Sequence, residues 1–287
     1  MKKRSFIAVA LLVIIISAEV GYADSDPCYD AVKQGKFRDA IALCTKQIGS
    51  GADEKNINDA YLYRGIAYLE TGKPDLAIAD FDIVIKRNES DAAAYSNRGT
   101  AYMSKNMFLL AIADFDKAIK LNPRDDIAYK NRGVASIGRK QPDQAIADFN
   151  KALEINPNDD ATYNDRGAAY LKMGKTDLAI ADYTKSIQLN PTNDEPYRNR
   201  GAAYMTAGRF DAAIVDYSKA LELDSTDSRG YYNMACLHSL QKNAKEACSW
   251  LQKAIDHGYS NWEHIKEDSD LENVRAAECY QKIMKGK

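Results

Sequence analysis

The sequence predicts an all-α fold of stacked antiparallel helix pairs, and three observations support this prediction. Residue types recur at an interval of 34 positions, as from Gly65 to Gly99 (99 − 65). The recurring residues have the i, i+4, i+7 spacing of one helix face. Turn residues such as Gly72-Lys73-Pro74 separate the two helical segments within each interval. Together these observations indicate an array of repeated two-helix units.

The composition is that of a folded globular protein. The chain has 287 residues, of which 45% are hydrophobic and 28% charged, and this balance argues against intrinsic disorder. Its 39 Lys and Arg residues are matched by 41 Asp and Glu residues, for a formal net charge of −2. A nucleic-acid-binding protein needs a basic surface, so this balance predicts no nucleic-acid partner.

The N-terminus resembles an export signal. Residues 2–4 are basic and precede an apolar run over residues 6–18, which is short for a membrane span of about 20 residues. Because Gly21 and Ala23 follow as small residues, we predict that residues 1–23 are a Sec-type signal peptide cleaved after Ala23. The mature protein would then be periplasmic or secreted by a bacterium, without membrane insertion. An uncleaved N-terminal anchor is the alternative.

Four columns of residues share the 34-residue register. They are Tyr61, Tyr95, Tyr129, Tyr163, Tyr197 and Tyr231; Gly65, Gly99, Gly133, Gly167 and Gly201, then Ala235; Ala77, Ala111, Ala145, Ala179, Ala213 and Ala247; and Phe81, Phe115, Phe149, Tyr183, Tyr217 and Leu251. The tyrosine and glycine columns lie on the first helix of each unit, and the alanine and aromatic columns lie on the second. Asn-Pro pairs, as at Asn122-Pro123, are expected to end the second helices.

The glycine column predicts a close helix–helix contact. A glycine inside a helix costs roughly 1 kcal/mol relative to alanine, so its repetition requires a reason. We expect the alanine column of the second helix to face it, with the aromatic column filling the space beside them.

The complete pattern resembles the tetratricopeptide repeat family. The third repeat shows the family's columns as Tyr95, Gly99, Tyr102, Ala111, Phe115, Ala118 and Pro123. The resemblance implies a right-handed α-solenoid with a concave groove lined by the first helices, and it implies a protein or peptide partner.

The repeats divide the chain into units. A partial first unit occupies residues 24–57 and contains a loop insertion at residues 49–52. Six units follow at residues 58–91, 92–125, 126–159, 160–193, 194–227 and 228–261. The remaining residues, 262–287, are predicted to form a helical cap. A capping box at Ser269 would open its helix, which would run to about Met284 and cover the last apolar face.

A charged pair of columns accompanies the glycines. The arginines are Arg64, Arg98, Arg132, Arg166 and Arg200, and the aspartates are Asp80, Asp114, Asp148, Asp182 and Asp216. Both residue types are replaced together in the last unit, by Met234 and Trp250, so we predict ion pairs within each unit. The functional alternative is that these arginines line the groove and hold an anionic partner.

The cysteines predict disulfides in an oxidising compartment. Cys28 stands at a glycine position and Cys44 at the aromatic position of the same unit, so these two are expected to bond. Cys236 and Cys248 lie at similar heights on paired helices and are a second candidate pair. Cys279 could bond to either of these or remain free. Two small buried thiols are the alternative for Cys28 and Cys44.

The family's placement of the first helices predicts the partner-binding groove. Its residues would be Leu62, Ile66, Leu69, Ser96, Asn97, Thr100, Met103, Lys130, Asn131, Val134, Ile137, Asn164, Leu171, Lys172, Arg198, Asn199, Met205, Arg229, Tyr232 and Asn233. The asparagines could hydrogen-bond a peptide backbone, and Lys130, Lys172, Arg198 and Arg229 would make the later part basic. We expect a partner with apolar anchors and a carboxylate. Alternatively, several of these residues merely pack neighbouring first helices.

The sequence contains no motif for catalysis or metal binding. Its three histidines are scattered, and it has no C-x-x-C, H-E-x-x-H, G-x-S-x-G or phosphate-binding glycine loop. We therefore predict no enzyme activity, no metal and no cofactor. The predicted function is a protein-interaction scaffold in the bacterial envelope. The alternative is a non-catalytic recognition subunit of an envelope enzyme or of a polysaccharide-handling or secretion machine. The oligomeric state is left open.

Overall fold

The protein was analysed as a computed structural model that describes residues 26–51 and 53–287. The predicted signal peptide and its cleavage site lie outside the described residues. All regular secondary structure in these two ranges is helical, so the predicted all-α class is confirmed. The helices are α1 (Pro27–Lys33), α2 (Phe37–Ile48), α3 (Glu54–Glu70), α4 (Pro74–Arg87), α5 (Ala92–Ser104), α6 (Phe108–Leu121), α7 (Asp126–Gly138), α8 (Pro142–Ile155), α9 (Asp160–Lys172), α10 (Thr176–Leu189), α11 (Asp194–Thr206), α12 (Phe210–Leu223), α13 (Ser228–Leu240), α14 (Ala244–Asp256), α15 (Trp262–Glu267) and α16 (Glu278–Met284).

Consecutive helices pack as antiparallel pairs, and we call each pair a hairpin. The chain divides into two compact units between Pro157 and Asn158. The N-terminal unit contains the hairpins α1/α2, α3/α4, α5/α6 and α7/α8, and the C-terminal unit contains α9/α10, α11/α12, α13/α14 and the segment that follows them. Helix α3 begins at Glu54, earlier than the repeat register places it at Asn58. No described helix combines the length and the apolar character needed to cross a membrane.

Local sequence signals set the ends of these helices. Asp91 caps α5 by accepting a hydrogen bond from the backbone N–H of Ala94, at 2.9 Å. Asn122 leaves the helical region at the end of α6, as the following proline predicts. The Asp91 cap gives a hydrogen-bond partner to a backbone N–H group that would otherwise lack one.

The turn inside each hairpin requires a left-handed residue. Gly72 has φ of +73°, and the N–H of Lys73 closes the turn on the carbonyl of Tyr68 at 2.8 Å. The same position in later hairpins is occupied by Asn106, Lys140 and Lys242, which also have positive φ, at 59°, 61° and 60°. The tertiary packing therefore imposes this conformation even where the sequence offers no glycine.

The glycine column faces the aromatic column, which corrects the prediction that alanine would face it. A Cβ atom added to Gly65 would lie 2.6 Å from Cε1 of Phe81, and one added to Gly133 would lie 2.7 Å from Cε1 of Phe149. Both rings are fully buried. The period of a helix fixes which residues share a face, but it does not fix which residue of the partner helix lies opposite. The absence of a side chain at the glycine thus leaves room for the ring of the second helix.

The C-terminal segment differs from the predicted single helix. Helix α15 is followed by a 3₁₀ segment, Ser269–Val274, and then by α16. Asp268, rather than Ser269, caps the 3₁₀ segment by accepting from the N–H of Asp270 at 3.0 Å. In a 3₁₀ turn, residues i and i+3 share one side, and this places Leu271 and Val274 together in the core against α13. Through these two side chains the C-terminal segment covers the last hairpin.

Candidate functional site

Each arginine of the column binds both oxygens of one aspartate in its own hairpin. Nε and Nη2 of Arg64 each donate to Asp80 at 2.8 Å, and the same atoms of Arg132 donate to Asp148 at 3.0 and 2.6 Å. The other pairs with this geometry are Arg98–Asp114, Arg166–Asp182 and Arg200–Asp216. The aspartates are buried, and such bidentate pairs are the stronger class of ion pair.

The third donor of the guanidinium reaches the preceding hairpin. Nη1 of Arg132 donates to Asp116 at 2.6 Å, and Nη1 of Arg64 donates to the hydroxyl of Thr45 at 3.0 Å. In the C-terminal unit, Nη1 of Arg200 donates to Thr184 at 2.9 Å. One arginine therefore fastens two neighbouring hairpins. The sequence did not reveal this contact, because the acceptor changes between Asp and Thr and forms no column.

Two tyrosines flank four of the five guanidiniums, whereas beside Arg132 the second of these positions is Ser136. The Cζ atom of Arg64 lies 5.3 Å from the ring centroid of Tyr61 and 5.7 Å from that of Tyr68. The hydrogen bond to Asp80 raises the pKa of Arg64 against the opposing effect of burial. Nε, Nη1 and Nη2 of Arg64 each donate to a group inside the protein, so the structural interpretation accounts for this side chain without an anionic partner.

In the last hairpin, Met234 and Trp250 replace the charged pair. Trp250 occupies the aspartate position, and its ring stacks on Tyr231, with centroids 6.0 Å apart, and on His238 at 6.4 Å. Met234, at the arginine position, is buried. An indole thus takes the place of the guanidinium between the two flanking rings.

The described residues contain two disulfides: the expected Cys28–Cys44 bond and, in place of the candidate pair Cys236–Cys248, one of the bonds left open for Cys279. Cys28 and Cys44 are joined, with both side chains fully buried. Cys248 is joined to Cys279, not to Cys236. The reason is direction: Cys248 faces α16, whereas Sγ of Cys236 faces Asp268, 3.7 Å from Oδ2. Burial raises the pKa of the free Cys236 thiol well above its usual value.

Loss of the Cys28–Cys44 disulfide should loosen the first hairpin. The bond closes a loop with a sequence separation of 16 residues, which the chain-entropy model values at about 3 kcal/mol. We expect amide hydrogen exchange in α1 and α2 of a Cys28→Ala/Cys44→Ala variant to accelerate by roughly a hundredfold, since each 1.4 kcal/mol corresponds to tenfold. Helices α13 and α14 serve as the internal control. Unchanged exchange in α1 and α2 would show that the bond contributes nothing to stability.

Several residues of the predicted groove are buried and cannot contact a partner. These residues are Ile66, Leu69, Ser96, Asn97, Met103, Asn164 and Tyr232. Ile66 and Leu69 share a core cluster with Ala101 of α5. A neighbouring first helix packs on Ile66 and Leu69, as the alternative interpretation states, whereas Tyr232 contacts Tyr259 and Asp268 of the C-terminal segment.

The other predicted groove residues remain partly or fully accessible. In the N-terminal unit Leu62, Thr100, Lys130, Asn131, Val134 and Ile137 are half-buried. In the C-terminal unit Leu171, Arg198, Asn199, Met205 and Asn233 are half-buried, and Lys172 and Arg229 are exposed. We call these residues the first-helix face of their unit.

Four of the five asparagines of the predicted groove already form hydrogen bonds within the protein. The side-chain amide of Asn131 donates to Thr100 Oγ1 at 3.3 Å, and that of Asn199 donates to Asn164 Oδ1 at 2.9 Å. The amide of Asn97 donates to the carbonyl of Ala93 in its own helix. Asn131 and Asn199 therefore connect adjacent first helices.

Arg198 does not supply the free positive charge that we predicted. Its Nη1 atom lies 2.7 Å from an oxygen of Asp194 and 2.9 Å from one of Asp227. The two carboxylates offset the charge of Arg198. Their effect is strong because the side chain is half-buried, where the dielectric constant is lower than in water. Lys172 and Arg229 are the exposed cations of this face in the C-terminal unit.

The described ranges contain no group of three or more metal-ligating side chains. A compact polar cluster does lie at the end of the C-terminal unit, where the Tyr232 hydroxyl donates to Asp268 at 2.6 Å and its ring stacks on Tyr259. These contacts fasten the 3₁₀ segment to α13.

Solved structures similar to this chain include tetratricopeptide repeat proteins. The structure of YrrB, described as a TPR protein with an unusual peptide-binding site, is 25% identical, with a TM-score of 0.54, and the match covers 65% of this chain and 97% of that one. The structure of MamA is 27% identical, with a TM-score of 0.52 and coverages of 57% and 96%. A tetratricopeptide repeat protein from Parabacteroides merdae is 21% identical, with a TM-score of 0.64 and coverages of 86% and 95%, and it supports the fold alone.

Family models give the same result from the sequence. No curated protein matched the chain. Models of the tetratricopeptide repeat match residues 62–107, then 92–125, 127–159, 161–193 and 195–227, and finally 228–256. These matches cover more than half of the chain. The hairpins, the small residues beneath the rings and the matched repeats therefore agree, and the chain belongs to the tetratricopeptide repeat family.

Proposed function

We propose that this protein is a non-enzymatic scaffold that binds a protein or peptide along the first-helix face of a unit. The observation that carries the proposal is how this face varies among the hairpins. One repeat position is Leu62 in α3 and Lys130 in α7. Another position is Thr100 in α5 and Val134 in α7. The packing columns keep their residue types over the same hairpins. A surface that varies over a constant framework is suited to recognising one particular partner.

The chemistry of the face indicates what it would bind. Val134 and Ile137 offer apolar contacts beside Lys130, and Leu171 and Met205 do so near Lys172. A complementary segment would carry apolar anchors and carboxylates. The printed description of YrrB as peptide-binding lends support by similarity.

Charge reversal on the first helices tests this proposal. A peptide is selected from a displayed library, and its affinity is measured by fluorescence anisotropy. The Lys130→Glu/Lys172→Glu variant should bind it at least roughly tenfold more weakly, since like charges would then oppose each other. The control is Lys120→Glu/Lys185→Glu, which makes the same charge change at exposed positions of second helices. Equal affinities of the two variants would refute the first-helix face.

We also propose that the protein works in the bacterial envelope or the medium. The two disulfides support this location, since such bonds persist in oxidising compartments. A role as recognition subunit of a polysaccharide-handling machine has less support, because Tyr232, the one aromatic residue of the predicted groove, is buried.

A further inference from the structure

A cleft of about 660 Å³ lies at the C-terminal end of the C-terminal unit. One wall is α14, and the other is formed by α15, α16 and the residues that follow them. The Cys248–Cys279 disulfide joins the two walls and lines the cleft. Ile255, Trp262 and Ile283 supply apolar surface. The cleft is therefore a concave site, covalently held, away from the first-helix face.

The cleft is positively charged. Lys245, Lys282 and Lys285 line it together with Lys287, and no Asp or Glu among the described residues does. Within residues 26–51 and 53–287, none of the first three lysines forms an ion pair. Several unpaired cations around a concavity raise the local potential and attract anions.

An aromatic residue connects the charged rim with the apolar surface. Nζ of Lys287 lies 4.6 Å from the ring centroid of Trp262, which is half-buried. An incoming group would thus meet ammonium ions first and an indole and two isoleucines next. This order matches a ligand with negative charges beside an apolar side chain.

We propose that this cleft is a second docking site, which binds an acidic peptide segment carrying an apolar anchor residue. The carboxylates contact Lys245, Lys282 and Lys285, and the anchor packs on Ile255, Trp262 and Ile283. The disulfide holds the walls in place before binding, which lowers the ordering cost. A membrane surface fits less well, because membrane-binding elements present protruding apolar side chains, whereas here they line a concavity.

Matched charge-reversal variants test the site. The probe is a fluorescent peptide with one Phe flanked by Asp and Glu residues, compared with its Asn and Gln counterpart. The Lys245→Glu/Lys282→Glu/Lys285→Glu variant should bind the acidic probe at least roughly tenfold more weakly than the unmodified protein. The Lys46→Glu/Lys86→Glu/Lys120→Glu control changes exposed lysines by the same charge and should stay within about twofold. Absence of saturable binding, or equal losses in both variants, would overturn the proposal.

Two further measurements keep the result independent of folding and of the first-helix face. A carbodiimide, which couples carboxylates to amines, should join the probe to Lys245, Lys282 or Lys285 of the unmodified protein, as mapped by mass spectrometry. Coupling only at other lysines would contradict the site. The Lys130→Glu/Lys172→Glu variant should keep its affinity for the acidic probe. Binding to phosphatidylglycerol vesicles through the cleft lysines, without binding of the probe, would replace the peptide with a membrane.

Discussion

Replacing Asp148 with leucine is expected to destabilise the α7/α8 hairpin by about 3–5 kcal/mol. The substitution removes the two Asp148 oxygens that accept from Arg132 at 2.6 and 3.0 Å, and the Arg132 side chain is only 18% exposed. The guanidinium would keep its charge with Asp116 as its remaining carboxylate partner. Chemical denaturation followed by circular dichroism, with hydrogen exchange of α7 and α8, measures the loss.

A double-mutant cycle separates the pair from its surroundings. Arg132→Met alone should also be costly, since it leaves Asp148 buried without its partner. The Arg132→Met/Asp148→Leu variant should lose less than the sum, because neither side chain then buries an unpaired charge. As a control, Asp116→Ala removes a carboxylate that is 55% exposed and should cost less than about 1 kcal/mol. Additive losses would refute the coupling.

Gly133→Ala is expected to destabilise the same hairpin by about 1–3 kcal/mol, although alanine is the better helix former by roughly 1 kcal/mol. The new Cβ would lie 2.7 Å from a ring carbon of Phe149, and that ring is fully buried and cannot move into solvent. Overpacking therefore outweighs helix propensity. The midpoint of denaturation measures the effect.

A smaller side chain opposite the new methyl group should restore stability. The last hairpin contains this combination naturally, with Ala235 on the first helix and Leu251 on the second. Gly133→Ala/Phe149→Leu should thus be more stable than the sum of the two single changes predicts. If Gly133→Ala alone stabilised the protein, the close contact with Phe149 would not govern this position.

The repeats explain how much of the fold could be predicted from sequence. The pairing of Arg132 with Asp148 was predictable, because both columns are lost together in the last hairpin. The contact from Arg132 to Asp116 was not, since its equivalents include Thr45 and Thr184. The left-handed turn at Lys140 was also hidden, because the residue type there gives no signal. Comparison between repeats reveals contacts whose residue types recur, and it misses contacts whose residue types change from one repeat to the next.

The candidate site was less predictable for a related reason. The family's placement of the first helices predicted that Lys130 and Lys172 would be accessible, but it did not predict that neighbouring residues would bury Ile66 and Tyr232. Burial depends on the packing of successive helices, which a single-helix pattern does not contain. The bonding of Cys248 to Cys279 was left open because the C-terminal segment lies outside the repeats and has no internal copy for comparison.

Site-specific photocrosslinking tests the binding face most directly. A benzophenone amino acid is placed at Lys172, exposed on the first helix α9, or at Lys185, exposed on the second helix α10. With the library-selected peptide, the proposed face predicts strong crosslinks from position 172 and only background from position 185. Crosslinks from position 185 alone would contradict it and move the binding surface to the second helices.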